Sequence, residues 1–136
     1  MNSLFKIGFV GAAACVLVSC SDKVEGVWQG ECRNELVDVT SGMKMTIKQE
    51  GEKGDKLVGL LMLTGDLYGS GKLTGYVNGK DVTIYSEGDT QTFVNIIWTG
   101  RIKGDTFSGT YRVEPTPSAA MLGRGVQKGT FIMHRE

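Results

Sequence analysis

The stretch that most constrains the fold is WTGRIKGDTFSGTY, which runs from Trp98 to Tyr111. Its centre, Gly104-Asp105, suits a two-residue type II′ turn, which needs glycine at the first central position. Such a turn pairs Lys103 with Thr106 and fixes the register of two antiparallel strands. The apolar side chains then gather on one face, as a sheet with one buried side requires. The predicted pairs on that face are Ile102 with Phe107, Gly100 with Gly109, Trp98 with Tyr111, and Ile96 with Val113.

The glycines of this stretch are expected to serve the backbone. Gly100 and Gly109 face each other, which leaves room for a neighbouring ring or lets a strand bend inward. Phosphate-binding loops present backbone amides at the start of a helix. The amides of this stretch belong to a hairpin ladder instead, so nucleotide binding is not expected.

A second hairpin is predicted at Asn78-Gly79. The Asn-Gly pair is typical of a type I′ turn, which has positive φ at both central residues. This turn pairs Val77 with Lys80 and again separates an apolar from a polar face. The pairs that follow are Gly75 with Val82 and Leu73 with Ile84 on the apolar face, and Tyr76 with Asp81, Thr74 with Thr83 and Lys72 with Tyr85 on the other.

Short apolar runs bounded by turn residues fill the rest of the chain, and no run keeps a 3.6-residue apolar period for three turns. Glycine makes up 20 of the 136 residues, with only two prolines, and this is about twice the usual glycine content. The pattern predicts an all-β domain, a single eight-stranded antiparallel up-and-down barrel. The predicted strands cover residues 26–33, 42–50, 56–64, 71–77, 81–86, 91–102, 106–113 and 126–135.

Two strand segments, residues 57–63 and 93–98, are apolar at successive positions. Both of their faces should therefore be covered, whereas the core of a barrel covers only the inner one. A partner in a homodimer, a loop of the same chain and a second sheet are the alternatives for the outer face.

Residues 1–19 have the pattern of a signal peptide. Lys6 supplies a positive charge, and residues 7–19 form an apolar run of thirteen. That run is short for a membrane span but suits the core of a signal peptide. The following Leu17-Val18-Ser19-Cys20 resembles the lipobox of bacterial lipoproteins.

The lipobox resemblance implies diacylglyceryl transfer to Cys20, cleavage before it, and acylation of the new amino terminus with a fatty acid such as palmitate. Two or more acyl chains make a stable membrane anchor. Residues 20–25 would then be the lipidated cysteine and a short tether, and residues 26–136 the barrel domain. Because Ser21 rather than aspartate follows the cysteine, we expect a cell-envelope protein at the outer membrane, facing the periplasm.

A second resemblance joins the two ends of the predicted barrel. Gly26-Val27-Trp28 opens the first strand and Arg135 ends the last. This pair resembles the Gly-x-Trp motif and closing arginine of the calycins, the superfamily of lipocalins and avidins. The resemblance implies a barrel with Trp28 plugging one end and Arg135 lying across it. The second lipocalin motif is absent, so no ligand-binding residue can be transferred.

The residue inventory gives little support to catalysis. Lys+Arg and Asp+Glu balance at 15 each, scattered singly, which excludes a basic nucleic-acid footprint. Within the predicted domain, Cys32 is the one cysteine and His134 the one histidine, with no third group for a nucleophilic site. Neither a zinc ligand set nor a calcium loop is recognisable. We expect no metal, no cofactor and no enzymatic activity.

Recognition is the function that these observations leave. The candidate ligand-binding side chains are the interior aromatic residues, and their alternative role is simply to fill the barrel. The candidate partner contact is the longest irregular segment, residues 114–124, since long loops often carry function. We expect a binding module for a small apolar ligand or an envelope protein; the alternative is an inhibitor or structural protein that acts through its loops without a ligand. The interior candidates are Trp28, Trp98, Phe107, Tyr111 and Phe131, and the loop candidates are Met121, Leu122 and Arg124.

Overall fold

A computed structural model of the chain describes residues 23–65, 70–87, 94–121, 123 and 125–136. The predicted signal peptide, Cys20, Leu122 and Arg124 lie outside these residues. The elements are β1 (Gly26–Asn34), β2 (Val39–Glu50), β3 (Lys56–Leu63), β4 (Gly71–Asn78), β5 (Asp81–Glu87), β6 (Val94–Lys103), β7 (Thr106–Pro115), one short helix α1 (Pro117–Met121) and β8 (Gln127–Arg135).

The eight strands form a closed antiparallel barrel in which each strand pairs with the next and β8 returns to β1. This confirms the predicted architecture. Closure leaves none of these strands with an unpaired edge, which removes the main aggregation hazard of a sheet. Among the described residues, no helix is both long and apolar enough to cross a membrane.

The hairpin between β6 and β7 has the predicted register. Trp98 pairs with Tyr111 and Gly100 with Gly109, on either side of the turn at Gly104-Asp105. Gly104 has a φ of 59°, in the left-handed region that glycine adopts without strain. The turn chemistry alone was therefore sufficient to align ten residue pairs.

The predicted register of the hairpin between β4 and β5 is wrong. Asn78 pairs with Asp81 and Val77 with Val82, so the turn is Gly79-Lys80. Only Gly79 has a positive φ, of 65°, which is the pattern of a type II′ turn. This turn places the left-handed conformation on Gly79 alone, and Asn78 stays in the ladder opposite Asp81. Each side chain still lies on its predicted face, but its partner across the ladder changes.

The second strand begins at Val39, three residues before the predicted 42. A tight loop over residues 35–38 makes this early start possible. Within the loop, Asp38 has a φ of 53° and the Asn34 side-chain oxygen accepts the Leu36 backbone N–H at 2.9 Å. A hydrogen bond of this kind turns the chain within a few residues.

The core is the barrel interior, which alternate residues of every strand fill. Its largest fully buried side chains include Trp28, Trp98, Phe107, Met45 and Met133. On the outer face of β3, Leu60 and Met62 remain 59% and 58% exposed. No described part of the chain therefore covers that face, and Phe93 of the other doubly apolar segment lies outside the described residues.

Candidate functional site

The five predicted interior aromatic residues are all at least 96% buried, and their rings form one continuous chain. Neighbouring ring centroids are 4.8 to 5.8 Å apart, and three of the four contacts are edge-to-face. Such contacts stabilise beyond the area that they bury. The order along the barrel is Trp28, Phe107, Phe131, Trp98 and Tyr111.

Glycines make space for these rings. A Cβ built on Gly100 would lie 2.9 Å from the tip of the Phe131 ring, and one built on Gly129 would lie 2.7 Å from the phenol end of Tyr111. The predicted room for a ring beside the facing glycines is therefore occupied by Phe131. A side chain at these positions would meet these rings and, more closely still, the backbone carbonyls of Ser108 and Arg33 on neighbouring strands.

One end of the barrel, where β1, β3, β5 and β7 begin, is closed; we call it the plugged end. The Trp28 ring fills it, and its indole N–H donates to the Val24 carbonyl at 2.8 Å. The Arg135 guanidinium lies 4.3 Å from the Trp28 ring centroid. This is the arrangement that the calycin resemblance implied.

Arg135 also ties the amino-terminal segment across the plugged end. Its guanidinium donates to the Glu25 carbonyl at 2.8 Å and to the Lys23 carbonyl. From β2, the Gln49 side chain accepts the backbone N–H groups of Val24 and Glu25, each at 3.0 Å. Val24 is completely buried, although it falls within the predicted tether.

The opposite end, where the same strands finish, has polar groups in its interior; we call it the loop end. Asn34, Ser41 and Ser86 are at most 2% exposed. The Trp98 indole N–H donates to the Ser86 hydroxyl at 3.0 Å, and the Asn34 amide donates to Gln127 at 2.5 Å. Sequence reasoning missed these residues, although each continues the inward alternation of its strand.

Among the described residues, the Tyr111 hydroxyl is the one buried side-chain oxygen or nitrogen without a hydrogen-bond partner. Burial raises the pKa of this phenol far above its usual range, and the nearby Cys32 and Glu35 raise it further. The phenol is therefore neutral at physiological pH and holds an unused donor proton. An unpaired buried polar group is unfavourable, so it needs an explanation.

A cleft of about 400 Å³ opens beside Tyr111 at the loop end. It lies on the outer wall, over the outward-facing Ile97 and Thr99 of β6. The Tyr111 ring behind it stays 96% buried, because it fills the space that a Gly129 side chain would occupy. Ile97 contributes an apolar wall, and Glu35 and Lys128 contribute opposite charges. A second cleft of about 250 Å³ shares Glu35 and Lys128 and is bordered by the exposed Leu36 and Val126. The volume of the first suits a small molecule.

The structure does not bring Cys32 and His134 together. Cys32 points into the barrel, whereas His134 is on the outer face beside the Thr106 hydroxyl, at 3.3 Å. Burial and Glu31 raise the pKa of the Cys32 thiol to about 11, which disfavours the reactive thiolate. Within the described ranges, no cluster of histidine, cysteine and carboxylate side chains could hold a metal ion.

The segment 114–124 is more ordered than the sequence indicated, so its prediction as irregular was wrong. β7 continues to Pro115, and α1 follows directly. Pro117 suits the first position of a helix, and the Ala120 N–H donates to the Thr116 carbonyl at 2.9 Å. Met121 at the end of α1 is 89% exposed.

Comparison with family models and with curated protein sequences finds no match. Among solved structures, the chain is similar to EF1p2_mFAP2b bound to DFHBI, with a TM-score of 0.63 and 12% identity. The alignment covers 83% of this chain and 94% of that protein. At this identity the similarity shows a shared barrel fold, and that fold is one that holds a small ligand in the other protein.

Proposed function

We propose that this chain is a lipid-anchored lipoprotein of the bacterial cell envelope whose barrel binds a small, mainly apolar ligand at its loop end. The barrel fold and its buried aromatic cluster fit a ligand-binding module. The anchor at Cys20 and the outer-membrane location come from the lipobox resemblance.

The two ends of the barrel support a site at the loop end. The plugged end is closed by Trp28, and Arg135 lies over it. The interior between the ends is occupied by aromatic rings in mutual contact. A ligand would therefore enter at the loop end, where the interior carries polar side chains and a cleft lies on the outer wall beside Tyr111.

The observation that carries the proposal is the unpaired Tyr111 hydroxyl. A ligand with a hydrogen-bond acceptor would accept this donor and remove the unfavourable free energy of leaving it unpaired. Reaching this donor would require the Tyr111 ring to move, because the hydroxyl is buried in the ligand-free barrel. Binding sites of this kind combine apolar walls with a few polar groups that set orientation.

The test is native mass spectrometry of residues 21–136, produced without the lipid and incubated with a lipid extract of a bacterial envelope. The described core belongs to residues 24–133, so this fragment retains the whole barrel. We expect a bound mass in the wild type and its loss in Tyr111→Phe. Tyr76→Phe, on the exposed outer face, is the matched control. Absence of bound mass in the wild type, or equal retention in Tyr111→Phe, would contradict the proposed site.

The anchor has a separate test. Metabolic labelling with palmitate should mark the full-length chain, and Cys20→Ser should abolish the label. Cys15→Ser is the matched control, because Cys15 lies within the predicted signal peptide. Labelling that survives Cys20→Ser would refute the proposed lipidation site.

A second candidate function is recognition of another envelope protein, as an inhibitor or structural component. The observation in its favour is the exposed Met121 on α1, which follows β7 at the loop end, the end that also carries the exposed Leu36 and Val126. Crosslinking in the envelope should then recover a partner protein, and a variant with a shortened 116–123 segment should no longer form that crosslink. We propose no enzymatic activity, since the Cys32 thiol is buried inside the barrel whereas His134 is on its outer face.

A further inference from the structure

The outer face of β3 carries an exposed apolar strip that consists of Val58, Leu60 and Met62. Leu60 and Met62 are more than half exposed, and Val58 is half-buried. Tyr76 of β4 and Tyr85 of β5 extend the strip along the barrel, with ring centroids 6.5 Å apart. Both tyrosines are also nearly half exposed. Scattered apolar residues are normal on a surface, but a contiguous strip usually marks an interaction site.

Lysines flank this strip in the ladder. Each of the three β3 side chains in the strip lies directly opposite a lysine of a neighbouring strand, and Tyr76 lies opposite a fourth lysine. Directly opposite residues have Cβ atoms only about 5 Å apart. The pairs are Val58 with Lys48, Leu60 with Lys72, Met62 with Lys44, and Tyr76 with Lys56.

Another face of the same barrel shows that this arrangement is specific to the strip. Ile132 of β8 is 43% exposed, so it resembles the strip residues in chemistry and exposure. Its ladder neighbours, however, are Glu31 and Ser108. Ile132 therefore lacks the facing lysines that the strip residues have.

We propose that the outer face of β2–β5 docks on an anionic lipid surface. Leu60, Met62 and the tyrosine rings would enter the headgroup layer, while the lysine heads contact lipid phosphates. Lysine can do this because its apolar stem packs beside the strip and its charge extends outward. Tyrosine is enriched at membrane–water interfaces, because its ring is apolar and its hydroxyl can remain hydrated.

The charge arrangement favours lipid over a second copy of the chain. A symmetric dimer through this face would bring the lysines of one copy close to those of the other, which is repulsive. An anionic membrane supplies the opposite charge over a broad surface and attracts clustered lysines. The convex wall of a barrel also needs no shaped partner to contact a soft lipid surface.

The orientation of the docked barrel rests on the proposed lipid anchor, whereas the surface itself does not. The described chain starts at Lys23, which Arg135 holds at the plugged end, and Gln49 beside Lys48 binds the next residues. The segment between Cys20 and Lys23 could extend at most about 10 Å. An anchor at Cys20 would therefore keep the plugged end of the barrel, where β2 ends and β3 begins, close to the membrane.

The test is flotation of unlipidated residues 21–136 with vesicles of phosphatidylcholine, with and without phosphatidylglycerol. We expect binding only with phosphatidylglycerol, and a decrease as salt is added. Leu60→Ser with Met62→Ser should weaken binding at least about tenfold. Lys48→Gln with Lys72→Gln should weaken it about 25-fold, since each lysine near an anionic surface contributes about fivefold.

The matched controls are Ile132→Ser and Lys103→Gln, which lie outside the strip and outside the candidate ligand site and should change binding less than about twofold. All of these side chains are exposed, so thermal unfolding should show that each variant keeps its barrel. Equal binding to neutral vesicles, or equal loss in the controls, would overturn the proposal. A vesicle-independent dimer in sedimentation that the Leu60 and Met62 changes abolish would also overturn it, in favour of a contact between copies. Palmitate labelling and ligand retention are measured separately. They show whether the proposed function fails as well, or whether only the proposed docking surface fails.

Discussion

The two ends of the barrel are filled by different side chains, and they differ in whether the buried polar groups are hydrogen-bonded. At the plugged end, Trp28 and Arg135 fill the opening, and their polar groups all have partners. At the loop end, smaller polar side chains lie inside, and the Tyr111 hydroxyl has no hydrogen-bond partner. A fully satisfied end contributes stability, whereas an unsatisfied buried group reduces it and offers a contact to a ligand. We therefore expect changes at the plugged end to affect folding and changes at the loop end to affect binding.

Trp28→Ala should break the plugged end and give the largest effect. Trp28 is fully buried and contacts the Phe107 ring edge-to-face at 5.8 Å. Its removal leaves a large cavity, and the free energy of unfolding should fall by about 3–5 kcal/mol. Urea denaturation measures this change, and Met62→Ala on the exposed strip is the control. A loss no larger than in that control would mean that the plug does not hold the barrel.

Arg135→Met should weaken the same end to a smaller extent. The substitution keeps an apolar stem but removes the bonds to the Lys23 and Glu25 carbonyls and the cation over Trp28. The expected loss in the free energy of unfolding is about 2–4 kcal/mol. Arg135→Lys should recover less than half of it, because lysine lacks the planar fork of donors. Full recovery in the lysine variant would show that only the charge matters.

The sequence was most informative where turn chemistry and alternation agree. Between Trp98 and Tyr111, a glycine turn sets the register and the apolar positions sort to one face, so the pairing of the two strands was predicted correctly. The Asn78-Gly79 pair was less informative, because two turn types compete there, and moving the turn by one residue shifts every cross-strand partner by two. Alternation predicted the face of each side chain but not its partner, since a two-residue shift of the partner keeps each side chain on the same face.

The site needed information that local patterns do not contain. Val24 reads as tether, and only the Gln49 and Trp28 side chains, brought together by the barrel, show that it is part of the core. Ser86 does continue the inward alternation after Val82 and Ile84, so its burial could have been predicted. The unpaired state of Tyr111 could not, because it depends on every neighbour that closure places around the phenol.

High pH should destabilise the loop end selectively. The Cys32 pKa is raised from 9.0 to about 11, so the thiol is neutral in the folded state when the unfolded chain already ionises. Its contribution is complete below pH 9 and is lost between pH 9 and 11, with a change of about 2–3 kcal/mol. Tyr111, whose pKa is raised above 10.0, adds a further decrease at higher pH. Urea denaturation across this range should show a shallower decline in Cys32→Ala, and an unchanged slope would remove Cys32 as the cause.

The smallest expected effect is a gain in stability, and it distinguishes the two ends most sharply. In the absence of ligand, Tyr111→Phe removes a buried hydroxyl without a partner and keeps the ring contact to Trp98 at 4.8 Å. Replacing such a group with an apolar one should raise the free energy of unfolding by about 1 kcal/mol. Ser86→Ala, which leaves the Trp98 indole N–H without its acceptor, should lower it by about 1–2 kcal/mol and is the control.

Thermal unfolding of ligand-free residues 21–136 measures both changes. A raised midpoint in Tyr111→Phe together with loss of the bound mass means that the hydroxyl is retained for binding at the expense of stability. A lowered midpoint means instead that the hydroxyl has a structural partner, such as a buried water, and the loop end would then be as fully satisfied as the plugged end. The sign of this single change therefore decides whether the difference between the two ends is functional.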